Sequence, residues 1–584
     1  MDSARAIKHG KENGVIKPHE PADYRSNVMR AAPALLIAIT ATAVYANTLR
    51  HGFVFDDMEG ILNNPLINRF SDLSQISQFF RERWRSLPQL SYALTYYFFG
   101  FDARAFHAVN IAIHAINSIL VFGIARLAAR RWLPLAQKDA FALAAALIHA
   151  VHPIYSEAVA YIWGRSSSLC ALFYFSSLLL VMKGALEPGR RKYLWFGCAI
   201  VCGTLAWKTK EEAITLAMAI AGLFVLQGSR RAAAGTALIP FFLVMSRWTD
   251  IGRLYVRVGE NKPLVAAGSQ PSLSPGVYFL THVKASVSSY LRLFIWPQNL
   301  NVDPLVEPVT HVYDPLFLFC IIVLLSLVLG GLLAARNHGI VSFGILTLLV
   351  SPLTAYALMP LADVVAEHRV YISGLGFDLL MAWATTLCFR YAKMATALAI
   401  LILGSITIRR NEVWNNNVTL WQDAERKSPT LARPHLNLGL AYQSAGQLDA
   451  ALTEYHHAIS INSRLAPAYI NMGVIYLSRK DLASAEAMLK RAVELAPTIA
   501  ASYINLAIVA MGQDRLEGAL LLLDKAASIE DTYIIHLNKG DILARMNRYE
   551  EAAGEYHRAA ALRPDLRKQA DERLKRLSDR RPSP

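Results

Sequence analysis

An adjacent pair of carboxylates, Asp56 and Asp57, closes the string Phe53-Val54-Phe55-Asp56-Asp57 just after the first long apolar run. Neighbouring carboxylates repel, so such a pair wants a purpose: a proton to abstract, a cation to bind or a hydroxyl to orient. More polar and ionisable groups lie at the ends of later apolar runs or, for the second-span histidines and Arg165, within them. They are His107, Asn110 and His114 at helical spacing, the string His152-Pro153-Ile154-Tyr155-Ser156-Glu157, Gly164-Arg165, the group Lys208, Lys210, Glu211 and Glu212, and Glu367-His368-Arg369. Each is costly at or within a bilayer, and each alone reads equally well as a structural ion pair or a snorkelling cation. Converging on one vestibule, they suit a lipid-linked phosphate substrate. A carboxylate would deprotonate an acceptor hydroxyl while Arg and Lys neutralise the departing lipid phosphate. The chain has no Gly-rich phosphate loop and no HExxH, GxSxG or Cys-His protease signature. It also lacks the matching halves expected of a transporter.

The elements that must position these groups are apolar. Of 584 residues, 54% are hydrophobic and 18% charged, against about a quarter charged in soluble domains. Runs long enough to span, or nearly so, fall at 29–47, 105–128, 139–152, 158–182, 193–208, 212–227, 232–247, 277–296, 314–334, 339–359, 373–389 and 394–408. The net charge of +15 comes from clusters between runs (Arg126, Arg130, Arg131 and Lys138; Lys183, Arg190, Arg191 and Lys192; Arg230 and Arg231; Arg336; Arg390 and Lys393) and from the tail. That is a positive-inside distribution and not a nucleic-acid footprint. Placing the clusters in the cytoplasm puts 48–104, 248–276 and everything after 408 on the other side. This requires eleven crossings, with 277–296, interrupted by Lys284 and Arg292, re-entrant or interfacial. Residues 1–28 are expected to form a cytoplasmic tail and 29–47 an uncleaved anchor. Within 48–104, Leu73, Ile76, Phe80 and Trp84 space an amphipathic surface helix. The five cysteines, Cys170, Cys198, Cys202, Cys320 and Cys388, sit in apolar runs with no partners at metal-ligand spacing, so neither a disulfide framework nor a zinc site is expected.

From residue 433 the chain repeats with a period of about 34 residues, the tetratricopeptide (TPR) length. Asn437-Leu438-Gly439, Asn471-Met472-Gly473, Asn505-Leu506-Ala507 and Asn538-Lys539-Gly540 set the register, and Ala451, Ala485, Ala519 and Ala552 mark each helix crossing. The expected fold is therefore all-α. A polytopic membrane domain (29–408) is followed by a linker and half-repeat (409–432), four repeats (433–566) and a capping helix (567–584). Asn437, Asn471, Asn505 and Asn538 take equivalent places on the first helices, suited to hydrogen-bonding an extended acceptor peptide in the concave groove.

Taken with its trailing repeats, the chain resembles the transmembrane and tetratricopeptide-repeat-containing O-mannosyltransferases, members of the GT-C membrane glycosyltransferases. The resemblance rests on His51 to Asp57 with Asn63-Asn64-Pro65, Arg85-Ser86-Leu87, Phe106 to Asn110 with His114-Ala115, His149 to Ile154 with Glu157 to Ala160, Gly164-Arg165, Lys210-Glu211, Tyr290 to Leu293 with Pro297, and Ala366 to Tyr371. Ser86, where proline is expected, and His368, where an aromatic or arginine is common, depart from the pattern. The resemblance implies a GT-C-type catalytic domain that uses a polyprenyl-phosphate sugar on the luminal or periplasmic face. It also implies Asp56 as base toward a Ser or Thr hydroxyl, with Asp57 orienting or binding acceptor. Arg85, Arg165, Lys210, Arg292 and Arg369 would meet the donor phosphate, and His107, His152, Glu157, Glu211 and Glu367 would contact the sugar or support those that do. The implied reaction inverts the anomeric centre in one displacement and needs neither metal nor resident cofactor.

The expected function is thus transfer of a hexose, mannose first, from polyprenyl phosphate to an extracytoplasmic protein gathered by the repeats. The expected partners are membrane lipids, the lipid-linked sugar and protein acceptors, with no nucleic acid. The expected location is a bacterial inner membrane with the site facing the periplasm, or the luminal face of the endoplasmic reticulum in a eukaryote. Two rivals are a transferase acting on envelope glycan or lipid, and a catalytically silent scaffold that recruits through its repeats.

Overall fold

The computed structural model describes residues 24–81, 85–226, 273–352, 363–387, 391–563 and 567–580, and among these there is no strand. The run at 232–247, nearly all of the 248–276 segment, residues 1–23, Trp84 and Cys388 lie outside the described residues.

Five described helical runs are long and apolar enough to cross a membrane: Ala31–Arg50, Ala103–Arg131, Arg165–Leu186, Pro315–Ala334 and Lys393–Trp414. A sixth candidate is the pair Gln137–Val151 and Pro153–Val159, bent by 50° where proline interrupts the helix. Shorter apolar helices, Leu216–Leu226, Gly339–Ser351 and Gly374–Leu387, pack among them. The helix Pro315–Ala334 turns Leu325, Leu332 and Leu333 outward, a surface suited to lipid and not to water. This is a membrane protein. The stretch at 277–296 is a helical run, Pro275–Ala285, then a π-turn Ser286–Leu291, then Arg292–Ile295; its buried Lys284 lies 3.6 Å from Asp314.

One expectation changes. The run at 158–182 is not one helix: Ser156–Val159 ends, the chain turns through 160–164, and a new helix starts at Arg165. Gly164 permits that turn, because a Cβ there would collide with the Glu157 carbonyl oxygen and the backbone of Ala158. In the long first loop, the helix Ile76–Arg81 buries Phe79 against Phe70, while Leu73 and Phe80 are exposed. Leu73 and Phe80 thus stand on an outward-facing apolar edge, with Ile76 half-buried beside it.

Several polar groups inside the bundle pair with one another, which lowers the cost of burying them in a low-dielectric interior. His149 Nδ1 lies 2.7 Å from Asp378, Tyr155 donates to the same carboxylate at 3.0 Å, and His114 Nδ1 meets the Tyr371 hydroxyl at 2.6 Å.

After the helix Ala392–Asn411 comes a single helix Asn417–Lys427, opened by a reciprocal Asn416/Thr419 cap. Four antiparallel pairs follow: Ala432–Ser444 with Leu448–Ile461, Ala466–Ser478 with Leu482–Leu495, Ala500–Gly512 with Leu516–Ile529, and Tyr533–Arg545 with Tyr549–Leu562. The helix Arg567–Arg580 closes the stack. Gly439 and Gly540 lie so close to the Tyr455 and Tyr556 rings that a Cβ would clash. This explains the recurring Asn-x-Gly: each aromatic fills the notch left by a missing side chain.

The solenoid is bolted to the membrane domain. Lys427 Nζ donates to the Leu300 carbonyl (2.6 Å), Asn301 to Ser428 Oγ (2.9 Å), and Arg410 to Asp423 (2.8 Å). Fully buried Trp414 stacks on Tyr161 with ring centroids 5.0 Å apart.

Candidate active site

The acidic pair divides its labour. Phe55 adopts a left-handed φ of 51°, a conformation a bulky residue holds only when its surroundings enforce it. Its amide donates to Asn417 Oδ1 at 2.8 Å and its ring packs on Tyr161 and Trp421. After this turn Asp56 is exposed, whereas Asp57 is fully buried. Asp57 accepts from the amides of Val54 (2.9 Å) and Trp163 (2.8 Å), and burial pushes its carboxyl up to about 8. It ties the first loop to the Gly164 turn and has no free face for an acceptor, contrary to the role the resemblance implied.

Asp56 sits under Tyr161, whose hydroxyl accepts from the Asp56 amide at 3.1 Å. Partial burial raises the Asp56 carboxyl and the Tyr161 hydrogen bond lowers it; Asp363 and Glu157 push it further up and Arg433 pulls it down, leaving it above the ordinary value. A carboxylate so placed is open to a hydroxyl and more basic than a solvated aspartate.

A cationic group gathers around His368. Burial first, then the fields of Lys210, Arg369 and Arg85, hold its imidazole well below the usual range. Each cation is held by a partner. Arg85, itself at φ 48°, meets Glu211 at 2.7 Å. Lys210 lies 2.5 Å from Glu212 and donates to Ser167 Oγ at 2.7 Å. Arg369 donates to the Asp363 carbonyl at 2.7 Å. Burial raises Glu211, but Arg85 and Lys210 outweigh it and bring the carboxyl down to about 2. Glu157 accepts from the His368 amide at 3.1 Å and faces its Nδ1 at 2.8 Å. Glu367 accepts from the Asn301 amide at 2.6 Å and stands 3.5 Å from Arg410. Glu157, Glu211 and Glu367 thus hold the cluster and its docking residues.

Four candidates do other work. Arg165 is fully buried: Nε donates to Asn110 Oδ1 (2.6 Å), Nη1 to Ser91 O (3.2 Å) and Thr95 Oγ1 (3.1 Å), and Nη2 to Phe106 O (2.9 Å), with Tyr92 beneath the guanidinium. So engaged, it ties helices together and leaves no edge for a phosphate. Exposed Arg292 turns back onto Ser288 O and Gln298 O beside exposed Ile295 and Trp296, the setting of an interfacial anchor. His107 is buried against the His51 ring. His152 accepts from the Ile154 amide and pairs with the Phe294 carbonyl, capping the turn that breaks the helix.

Sequence reasoning missed Arg433, on the first helix of the first repeat. It forms a two-toothed ion pair with Asp303 and reaches Asp363 at 2.7 Å. Its charge acts on Asp56, so a solenoid residue tunes that carboxylate. Tyr161 and Asn417 were also missed; an apolar run and a repeat surface give neither a local signal. Asn437, Asn471, Asn505 and Asn538 are all half-buried on first helices of the solenoid.

The tetratricopeptide repeat family profile matches residues 430–498. Protein O-mannosyl-transferase TMTC4 of Homo sapiens is 26% identical over 489 residues, covering 72% of this chain and 65% of that protein. Protein O-mannosyl-transferase F38B6.6 of Caenorhabditis elegans is 25% identical over 484 residues, covering 78% and 66%. The chain is a relative of the TMTC O-mannosyl-transferases. It spans about two thirds of the length of these curated relatives, and Tmtc3 of Drosophila melanogaster is covered over 55% at 25% identity. Among solved structures, YrrB, a TPR protein with an unusual peptide-binding site, aligns at 20% identity and a TM-score of 0.24, covering 27% of this chain and 82% of that one.

Proposed function

We propose that this TMTC relative is a membrane O-mannosyltransferase that takes its sugar from a polyprenyl-phosphate donor and passes it to a Ser or Thr hydroxyl of an extracytoplasmic protein. What supports this reading is an exposed carboxylate, Asp56, that feels the charge of Glu157, while Glu157 itself holds His368, on which Arg85, Lys210 and Arg369 act. Asp56 removes the acceptor proton as the hydroxyl attacks the anomeric carbon. The bond to phosphate breaks, and the three cations stabilise the negative charge left on the lipid phosphate. Direct displacement inverts the anomeric centre, and no step calls for a metal or resident cofactor.

The site and the solenoid lie on the non-cytoplasmic side in this reading, which the Lys and Arg clusters between the apolar runs favour. The repeats gather the acceptor, because their first helix already supplies Arg433, whose charge acts on Asp56. The test is transfer from radiolabelled polyprenyl-phosphate mannose, with membrane and extracytoplasmic extract as acceptor pool, by wild type and Asp56→Asn. Turnover by wild type and a loss of about two orders of magnitude or more in the variant supports the reading. Equal turnover removes Asp56 from it, and no turnover with any hexose favours the scaffold.

A further inference from the structure

On the first repeat, apart from the Asp56 and His368 groups, His435, Glu454 and His457 bring one ligand atom each to within 4.8 Å of one another. His435 stands on the helix Ala432–Ser444, while Glu454 and His457 stand on its partner Leu448–Ile461, one turn apart. His435 Nδ1 is 2.8 Å from Glu454 Oε2, and His457 Nδ1 is 3.9 Å from the same oxygen. Tetrahedral zinc with bonds of about 2.0–2.1 Å separates its ligand atoms by roughly 3.3 Å, a value between these two distances.

We propose that the first repeat binds one divalent transition-metal ion of the zinc type through His435 Nδ1, a Glu454 carboxylate oxygen and His457 Nδ1. Three features point this way. The far nitrogen of His435 lies 3.1 Å from the Pro429 carbonyl. That bond keeps a proton on Nε2, so when Nδ1 gives up the proton it now shares with Glu454, its lone pair is the one free for a metal, the outer-shell arrangement that metal-bound histidines adopt. Two imidazoles and one carboxylate are a ligand set that suits zinc and its first-row neighbours and leaves a position for water. Access is graded: His435 is buried, Glu454 half-buried and His457 exposed, so an ion would enter from solvent and meet the exposed third side chain last.

The fourth repeat supplies an internal comparison. His536 and Glu555 occupy the equivalent positions and lie 2.5 Å apart, but Arg558 stands where the first repeat has His457. A permanent cation there excludes a metal, so the His-Glu pair alone is a helix-helix bond. The third ligand is what distinguishes the first repeat. Bound metal would fasten both helices of that repeat to each other and, through Pro429, to the linker beneath Arg433.

The test uses full-length protein in detergent, with any affinity tag removed and metal stripped by chelator, titrated with Co²⁺ and Zn²⁺ by absorption and calorimetry. The expected result is one equivalent of Co²⁺ giving the visible bands of a four- or five-coordinate ion and displaced by Zn²⁺. His457→Ala, an exposed change that spares the helix pair, lowers affinity at least tenfold. His456→Ala, at the adjacent exposed histidine, leaves affinity unchanged, and Arg558→His adds a second equivalent. Binding by His457→Ala equal to wild type, or equal losses in His456→Ala and His457→Ala, would overturn the proposal. Neither result depends on whether the chain transfers sugar.

Discussion

Glu157 uses both carboxylate oxygens on His368, accepting from its amide at 3.1 Å and facing its Nδ1 at 2.8 Å. Burial and three nearby cations hold that imidazole well below its usual range, so it is neutral at pH 7; where Nδ1 donates to an ionised Glu157, Nε2 keeps a lone pair. A neutral acceptor among Arg85, Lys210 and Arg369 suits a sugar hydroxyl next to a phosphate. His368→Ala is expected to lower kcat/KM for the lipid-linked donor by about tenfold, the worth of one neutral hydrogen bond. His368→Gln should recover part of it. Donor saturation curves for the two variants check this, and identical losses would remove the hydrogen bond from the account.

The two aspartates of one motif should fail in opposite ways. Asp56 is open, so Asp56→Asn should keep the melting temperature and lose transfer. Asp57→Ala strips a buried acceptor from the amides of Val54 and Trp163, at about 1–3 kcal/mol per orphaned group. It should therefore lower the melting temperature in detergent first and activity as a consequence. Because Asp56 is raised above its ordinary value of 3.8, the acid limb of wild-type kcat should lie above that pH. A limb at or below 3.8 would assign the base elsewhere.

Glu211 carries a stability signature with a fixed sign. Its carboxyl falls from 4.5 to about 2 on folding, so the folded chain prefers the ionised form. The associated stabilisation, on the order of 3 kcal/mol, is complete above about pH 4.5 and disappears as pH falls through 2. Glu211→Gln should therefore melt earlier than wild type at pH 6, with the gap shrinking steadily as the pH drops toward 2. Parallel curves across that window would show that the Arg85 pair does not act on folding.

Arg165 separates structure from binding among residues that look alike in sequence. Fully buried and donating to Asn110, Ser91, Thr95 and Phe106, it cannot be replaced by a point charge that lacks the planar fork. Arg165→Lys should lower thermal stability while leaving donor KM within about twofold of wild type. Arg369→Lys should raise donor KM with little loss of stability. Both follow from paired melting and saturation measurements.

Repeat register and helix content were legible because each rests on local spacing: Asn437, Asn471, Asn505 and Asn538 recur on first helices as the period requires. Asp56 and the Lys210 and Arg369 cations stood out because charge beside a membrane is costly. What sequence hid was long-range. Nothing near Arg165 says that Ser91, Thr95, Phe106 and Asn110 consume its donors, and nothing near Arg433 says that it reaches Asp303 and Asp363. The same holds for His435 and Glu454, which meet only because two helices pack.

The repeats should matter for one substrate and not the other. Asn437 and Asn471 sit half-buried on consecutive first helices, next to the segment that carries Arg433. If they hold an extended acceptor by its backbone, the double variant Asn437→Ala/Asn471→Ala loses about one hydrogen bond per position. Acceptor KM should then rise by roughly one to two orders of magnitude while slow hydrolysis of the donor by water continues unchanged. A variant that loses hydrolysis and transfer together would instead make these asparagines part of the fold that supports Asp56. Since the first repeat is fastened to the membrane domain through Asp303 and Asp363, Arg433→Gln is the informative companion. It should impair both reactions, because the charge it removes acts on Asp56 itself.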